Sequence, residues 1–169
     1  MILSSLSTIF LLLLAGSYSN ALQLHPRVNE RLARALLAET YIDTPGTPQD
    51  LCGNSTFEAV DHEGPLQYDC EYLMNITEHN PDGFWMAGDF GRDGTAWAEF
   101  TRLRSCGIRV RRTDGQGGDV PFGDQDVVDL MNSVLTEFSV GDRLPTVQGQ
   151  MTCSKYTSRA AVEWQIFNV

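Results

Sequence analysis

Residues able to act as nucleophile and base are few in this chain of 169 residues. Its histidines are His25, His62 and His79, and no Gly-x-Ser-x-Gly sequence marks a serine nucleophile. Hydrolysis by a nucleophile needs Ser or Cys, a histidine base and an acid that orients the base. The cysteines are better explained as disulfides. We therefore expect no catalytic residue, no enzyme activity and no cofactor.

Acidic residues offer two further kinds of chemistry, a metal site and a carboxylate pair. Asp61, His62 and Glu63 place ligand types side by side, as do residues 69–71 (Asp-Cys-Glu). Neither spacing fits a recognised metal motif, so we expect solvated loops and no metal. Two carboxylates across a glycosidic bond would make a glycosidase, and 22 acidic residues allow many such pairs. A cleft that holds an acid pair would favour this alternative.

One group of arginines stands out in a chain with a formal net charge of -10. The candidate binding residues are Arg102, Arg104, Arg109 and Arg111. Projected from adjacent strands onto one face, they could bind anionic lipid headgroups or an acidic glycan. Cross-strand ion pairs with Glu99 or other acids are the competing interpretation, which we favour. The acidic balance makes nucleic acid a poor partner.

Three tryptophans could form a carbohydrate platform, namely Trp85, Trp97 and Trp164. All three lie in patterns typical of strands, where packing in the core is the commoner role. We therefore expect them in the core.

The N-terminal residues predict export. Residues 1–21 carry no charged side chain, have an apolar centre from Ile9 to Leu14, and end in Ser19-Asn20-Ala21. An apolar run of this length with a small-residue exit is typical of a cleaved signal peptide. An uncleaved anchor is the disfavoured alternative, because the run is short for a bilayer.

The four cysteines and two sequons agree with an extracellular location. In an exported chain, Cys52, Cys70, Cys106 and Cys153 predict two disulfides with three possible pairings. A four-thiolate zinc site is disfavoured because no Cys-x-x-Cys pair exists. Glycosylation is predicted at Asn54 and Asn75.

Spacing of apolar and breaker residues divides the exported chain. Residues 22–50 contain a helical pattern at 28–38 and a Pro-Gly-rich linker, and are interpreted as an arm or propeptide. Residues 51–169 form the domain. Helices are predicted over 65–79 and from Asp124, with Asp124 as N-cap, Asp126 in the first turn and Gly141 at the stop.

Strands are predicted over 83–87, 96–103, 105–112, 146–153 and 160–168. Apolar residues alternate with Arg109 and Arg111 in the third strand, which directs the arginines outward. In the last strand, residues 162, 164 and 166 form one row and residues 163, 165 and 167 the other. The order of elements predicts an α+β fold with a mostly antiparallel sheet and two helices on one face.

The cysteines and their flanking residues resemble a known family. The matching stretches are Cys52-Gly53-Asn54-Ser55-Thr56-Phe57, Pro65, Asp69-Cys70, Asn75-Ile76, Phe84-Trp85, residues 105–110, residues 123–130, residues 147–153 and residues 162–167. This chain has Gly107-Ile108 where the family usually has a small residue and Phe. The pattern is similar to secreted fungal effectors of the extracellular protein two type, the necrosis-inducing factor domain.

This resemblance implies a fungal virulence factor of the host apoplast that provokes or modulates plant cell death. It also implies a killer-toxin-like α/β sandwich, and it carries no catalytic residues. The implied partner is a host extracellular or membrane protein, a cell-surface glycan or a lipid. Two alternatives stay open, a killer-toxin-like antagonist of microbial membranes or channels and a glycan-binding or glycan-active protein.

Overall fold

The computed structural model describes residues 41–79, 82–91, 93–155 and 158–169. The predicted signal peptide and the helical pattern at 28–38 lie outside the described residues. In chain order the elements are β1 (Tyr41–Asp43), β2 (Glu58–Asp61), α1 (Gln67–Glu78), β3 (Gly83–Ala87), β4 (Ala98–Leu103), β5 (Cys106–Arg112), β6 (Val120–Gly123), α2 (Asp124–Glu137), β7 (Thr146–Lys155) and β8 (Ser158–Asn168). The predicted α+β class is confirmed.

Five strands form a large antiparallel sheet in the order β2-β7-β8-β5-β4. Its central strand, β8, alternates as predicted, and Val162, Trp164 and Ile166 are buried in the core. Ile108 pairs with Ile166 and Val110 pairs with Trp164, so β5 continues the same apolar row. Because side chains alternate along a strand, the row between them points away from the core.

Three further strands form a small sheet in the order β1-β3-β6, so the strands make two sheets and not one. Phe100 of β4 joins the sheets: its ring centroid lies 5.6 Å from that of Trp85 on β3 and 4.8 Å from that of Phe122 on β6. β6 was not predicted because it is short and contains Pro121, which breaks a strand pattern. β2 was not predicted because all four of its residues are exposed.

The two helices pack against each other and close the core. Helix α1 buries Cys70, Leu73 and Ile76 and contacts β4 and β5, whereas α2 contacts β3 and β6. Neither of these helices, the two in the described part of the chain, is long and apolar enough to cross a membrane.

The ends of α2 differ from the sequence prediction. Its N-cap is Gly123, not Asp124, and the Asp126 carboxylate accepts the Gly123 N–H at 2.7 Å. Glycine suits this position because a Cβ would collide with the carbonyl oxygen of Gln49. The helix ends at Glu137, and Gly141, with φ +88°, turns the chain only after the helix has stopped.

Two disulfides hold the elements together, one of the three pairings that the sequence allowed. Cys70–Cys106 joins α1 to the start of β5, and Cys52–Cys153 joins the loop before β2 to β7. Four oxidised cysteines leave no thiolate for the alternative zinc site.

Residues 41–50, inside the predicted arm, contact the domain. The Tyr41 ring packs edge-on against Trp85 with centroids 4.8 Å apart. The Thr44 N–H donates to the Asp82 carbonyl at 2.6 Å, and the Gln49 N–H donates to Asp124 Oδ1 at 2.7 Å. A boundary at residue 50 stays a prediction, but cleavage there would remove the edge strand that pairs with β3.

Candidate binding surface

The side of the large sheet that faces away from the helices is here called the outer face. Arg109 and Arg111 of β5 lie on it directly opposite Gln165 and Glu163 of β8. Because the apolar row of β5 and β8 is buried on the other side of the sheet, these polar side chains meet solvent or each other. The register therefore builds a line of cross-strand polar pairs.

Arg102 and Arg104 form ion pairs with acids, as the competing interpretation expected, but neither pair is cross-strand. Arg102 lies on the outer face and pairs with Glu99, with Nη1 and Oε1 3.3 Å apart. Arg104 lies in the β4–β5 turn with φ +53° and pairs with Asp69 of α1 at 3.4 Å. Its guanidinium also lies over the Tyr72 ring, 5.7 Å from the centroid. Arg104 is therefore not part of the outer face.

Arg111 is also paired. Its Nη2 lies 2.6 Å from Glu163 Oε2, and its Nε donates to the same oxygen at 2.8 Å. Glu163 is buried in the central strand. The pair therefore neutralises a buried carboxylate, which without a partner would destabilise the folded state.

Arg109 differs from the other three because no carboxylate in the described part of the chain lies within ion-pair distance. Its Nε donates to Gln165 Oε1 at 2.8 Å, and its Nη2 donates to the same oxygen. The carbon of its guanidinium lies 4.8 Å from the Trp97 ring centroid and 4.3 Å from the Phe167 centroid. The charge is held by an amide and two aromatic rings.

Burial lowers the pKa of Arg109, and the neighbouring positive charge of Arg111 acts in the same direction, while Glu99 opposes both. A guanidinium stays protonated despite such a shift, since its pKa starts above 12. Arg109 is thus a permanent cation with little freedom to move.

Trp97 lies against two of the outer-face guanidiniums, those of Arg109 and Arg111. It precedes β4, is half-buried, and lies 4.6 Å from the Arg111 guanidinium carbon as well as over Arg109. The prediction that all three tryptophans lie in the core is right for Trp85 and Trp164, which are 2% and 0% exposed, and wrong for Trp97. Trp97 and Phe167 are the binding-surface residues that sequence reasoning missed, although the outward row of β8 contained Phe167.

A second feature is a groove of about 680 Å³ beside the N-terminal half of α2. It is lined by Asp50, Cys52, Gly53, Asn54, Ser55, Phe57, Asp126, Asp129, Leu130, Ser133 and Met151. Three carboxylates line this one groove, and the glycosidase alternative requires a pair of them in a cleft. The orientation of these carboxylates decides whether they serve that chemistry.

The Asp126 carboxylate accepts hydrogen bonds from the backbone. Its Oδ1 accepts the Cys52 N–H at 3.0 Å, and its Oδ2 accepts the Leu51 N–H at 3.1 Å and the Gly123 N–H at 2.7 Å. Burial raises the pKa of Asp126 to about 7 against the lowering effect of these N–H donors, and a hydrogen bond with Asp50 adds to the rise. Both oxygens are thus occupied by backbone groups, two of them in the loop that carries Cys52, as expected of a structural carboxylate.

The clusters that loosely suggested metal ligands are occupied by other contacts. Asp61 Oδ1 accepts the N–H groups of Glu63 and Thr146 at 3.0 and 3.3 Å. Asp69 accepts the Ser105 hydroxyl at 2.7 Å. Within the described ranges no three His, Cys, Asp or Glu side chains are grouped to hold a metal ion.

Both predicted glycosylation sites are exposed. Asn54 lies at the rim of the groove, and Asn75 lies on α1 with its Nδ2 donating to the Glu71 carbonyl at 3.0 Å. Their modification stays a prediction.

Comparison with known protein families gives a match. The model of the Hce2 family, described as "Pathogen effector; putative necrosis-inducing factor", matches residues 51–153, which is more than half of the chain. The matched stretch contains Trp97, Arg109 and Arg111, and it ends before β8, which carries Gln165 and Phe167. No curated protein matches the chain. The family resemblance seen in the sequence is confirmed.

Proposed function

The chain belongs to the Hce2 family of pathogen effectors, and from that premise we propose that it acts by binding a target rather than by catalysing a reaction. The target is a component of the host plant's extracellular space or cell surface, and the outcome is provoked or modulated cell death. Two disulfides and an acidic composition suit a protein that works outside the cell.

The single observation that carries the binding proposal is the state of Arg109. Three arginines and two glutamates occupy this part of the outer face (Arg102, Arg109 and Arg111 against Glu99 and Glu163), which leaves one positive charge. That charge stands out on a chain of formal charge -10. A cation held in place without a carboxylate attracts an anionic group of a partner.

The acidic groups of the groove support binding over hydrolysis. A general acid must direct its carboxyl group at the substrate, whereas both oxygens of Asp126 accept backbone N–H groups. Asp129 is exposed on α2 and accepts a hydrogen bond from Gln125 Nε2 at 2.8 Å. This arrangement favours a structural role for Asp126 and does not favour the glycosidase alternative.

Leaf infiltration tests the proposal. The disulfide-bonded protein is infiltrated into leaves of several plant genotypes, beside the variants Arg109→Gln and Arg104→Gln. We expect cell death, or a change in the cell death caused by a second elicitor, in at least one genotype. Arg109→Gln should weaken the response, and Arg104→Gln should leave it intact because Arg104 makes the same change of charge away from the outer face, where it pairs with Asp69. Equal responses to all three proteins would refute the role of the outer face.

A further inference from the structure

We infer that the Arg109 site binds a carboxylate group of an acidic polysaccharide, one built from uronic acid units. This inference rests on the proposed function and deepens it, because it names the class of ligand that the outer face takes. Three properties of the site point to this ligand: the free edge of the guanidinium, the local charge and the position of Trp97.

The first property is geometric. Trp97 and Phe167 lie over the Arg109 guanidinium, and Gln165 takes the edge formed by Nε and Nη2. The remaining edge of the guanidinium includes Nη1. No residue of the described ranges accepts a hydrogen bond from Nη1. A ligand must therefore approach in the plane of the guanidinium. A carboxylate is planar and offers two oxygens to such an edge, so it fits this approach.

The second property is charge. A bilayer rich in anionic lipid attracts clusters of about four to eight basic residues, whereas among Arg102, Arg109 and Arg111 only Arg109 lacks a carboxylate partner in the described part of the chain. The remaining surface carries the chain's excess of acidic groups and would be repelled by such a membrane. A polysaccharide with one carboxylate per sugar presents its charges singly, so one can reach Arg109 while its neighbours stay in solvent.

The third property is the aromatic side chain beside the cation. Trp97 is half-buried, with Arg109 and Arg111 beneath it. Its partly exposed ring has its centroid 4.8 Å from the carbon of the guanidinium that would take the carboxylate. The apolar side of a sugar ring can pack on an aromatic surface of this kind. The site therefore combines an anion receptor with a surface for the sugar that carries the anion.

Calorimetric titration of the full disulfide-bonded protein with an oligogalacturonate tests the inference. A neutral galactan oligosaccharide of equal length and vesicles containing phosphatidylserine are the comparison probes. We expect binding to the uronate oligomer, weaker binding as salt is added, and no comparable binding to either other probe. Equal affinity for the neutral oligosaccharide, or stronger binding to the vesicles, would overturn the inference.

Variants locate the site. Arg109→Gln should lower affinity for the oligogalacturonate at least tenfold. Arg109→Lys should lower it several-fold, because a lysine keeps the charge and loses the planar pair of donors. Arg104→Gln is the matched control, since it makes the same change of charge away from the outer face, and it should bind like the parent. Thermal melting of each variant shows that it is folded, and binding that survives Arg109→Gln and Arg109→Lys unchanged would place the ligand elsewhere.

The two proposals can fail separately. If Arg109→Gln abolishes the leaf response and the protein binds no oligogalacturonate, the ligand class is wrong and the outer-face function stands. If the protein binds oligogalacturonate through Arg109 but Arg109→Gln gives the same leaf response as the parent, the ligand class stands and the proposed function is wrong.

Discussion

Arg109 and Arg112 lie three residues apart on β5, point to opposite faces of the sheet and have opposite surroundings. Arg112 is 6% exposed and donates through Nε and Nη2 to both oxygens of Asp114, at 2.9 and 2.7 Å. Its Nη1 donates to the carbonyls of Gly117 and Gly118 at 3.1 and 3.0 Å. Arg109 shares one amide oxygen between two donors and has no carboxylate partner.

This difference separates a structural arginine from an available one. Arg112 fastens the loop after β5 to the edge of the core, and each of its donor groups is satisfied within the chain. Arg109 packs against Trp97 and Phe167, yet no residue of the described ranges accepts a hydrogen bond from its Nη1. Fixed position together with unused donors is what prepares a side chain for a partner.

The largest effect is expected from Asp114→Ala, because it leaves the Arg112 charge buried without its counter-ion. Breaking a buried pair in this way costs about 3–5 kcal/mol of unfolding free energy. Urea unfolding with disulfides intact measures the loss. Glu99→Ala removes the exposed pair with Arg102 and should cost only about 0–1 kcal/mol. Similar losses in the two variants would contradict the distinction between the arginines.

The same pair predicts a loss of stability in acid. The hydrogen bond from Arg112 is the main reason that the pKa of Asp114 lies well below its usual value, and the N–H groups of Gln116 and Ala161 act in the same direction. A depressed pKa stabilises the fold at pH values above the pKa of the unfolded state, which is about 4. This stabilisation is lost as the pH falls from there toward the pKa of the folded state. Unfolding free energies measured from pH 5 to pH 2 should decline in the parent. The decline should be shallower in Asp114→Asn.

Asp126 should have the opposite effect on the pH dependence of stability, and at higher pH. Its folded-state pKa is raised to about 7 by burial, so folding favours the protonated acid. The stabilisation is fully present below about pH 4 and is lost as pH rises through about 7. Unfolding free energy should therefore decline between pH 4 and pH 8, and Asp126→Asn should flatten the decline while lowering stability overall. A parent protein with constant stability over this range would disprove the assignment.

A small change in stability is expected from Arg109→Gln, since no carboxylate of the described residues forms an ion pair with this guanidinium. Loss of its contacts with Trp97 and Phe167 should cost about 1 kcal/mol, the scale of cation–π contacts near a surface. Urea unfolding beside Asp114→Ala gives the comparison directly. A loss as large as that of Asp114→Ala would show that Arg109 is also a structural residue.

Sequence periodicity predicted the long elements well. The alternation in β5 and β8 placed Arg109 and Arg111 outward and the row containing Val162 and Ile166 inward, as the structure has them. Helix α1 lies within the predicted 65–79, since its apolar residues recur every three or four positions. The short strands β1, β2 and β6 escaped prediction because three or four residues carry too little pattern, and pairing with a distant strand forms them.

The amino-acid sequence by itself determined the α+β class, the family framework and which residues of the long strands face outward. These properties follow from local periodicity and from residue types in order along the chain. Only the folded structure shows which cysteines pair and that Trp97 lies on the outer face. It also distinguishes Arg109 from Arg102, Arg104 and Arg111, which form ion pairs. Each depends on strand register and on packing between residues far apart in sequence. Such contacts form only when distant parts of the chain have folded together, so no local sequence pattern encodes them.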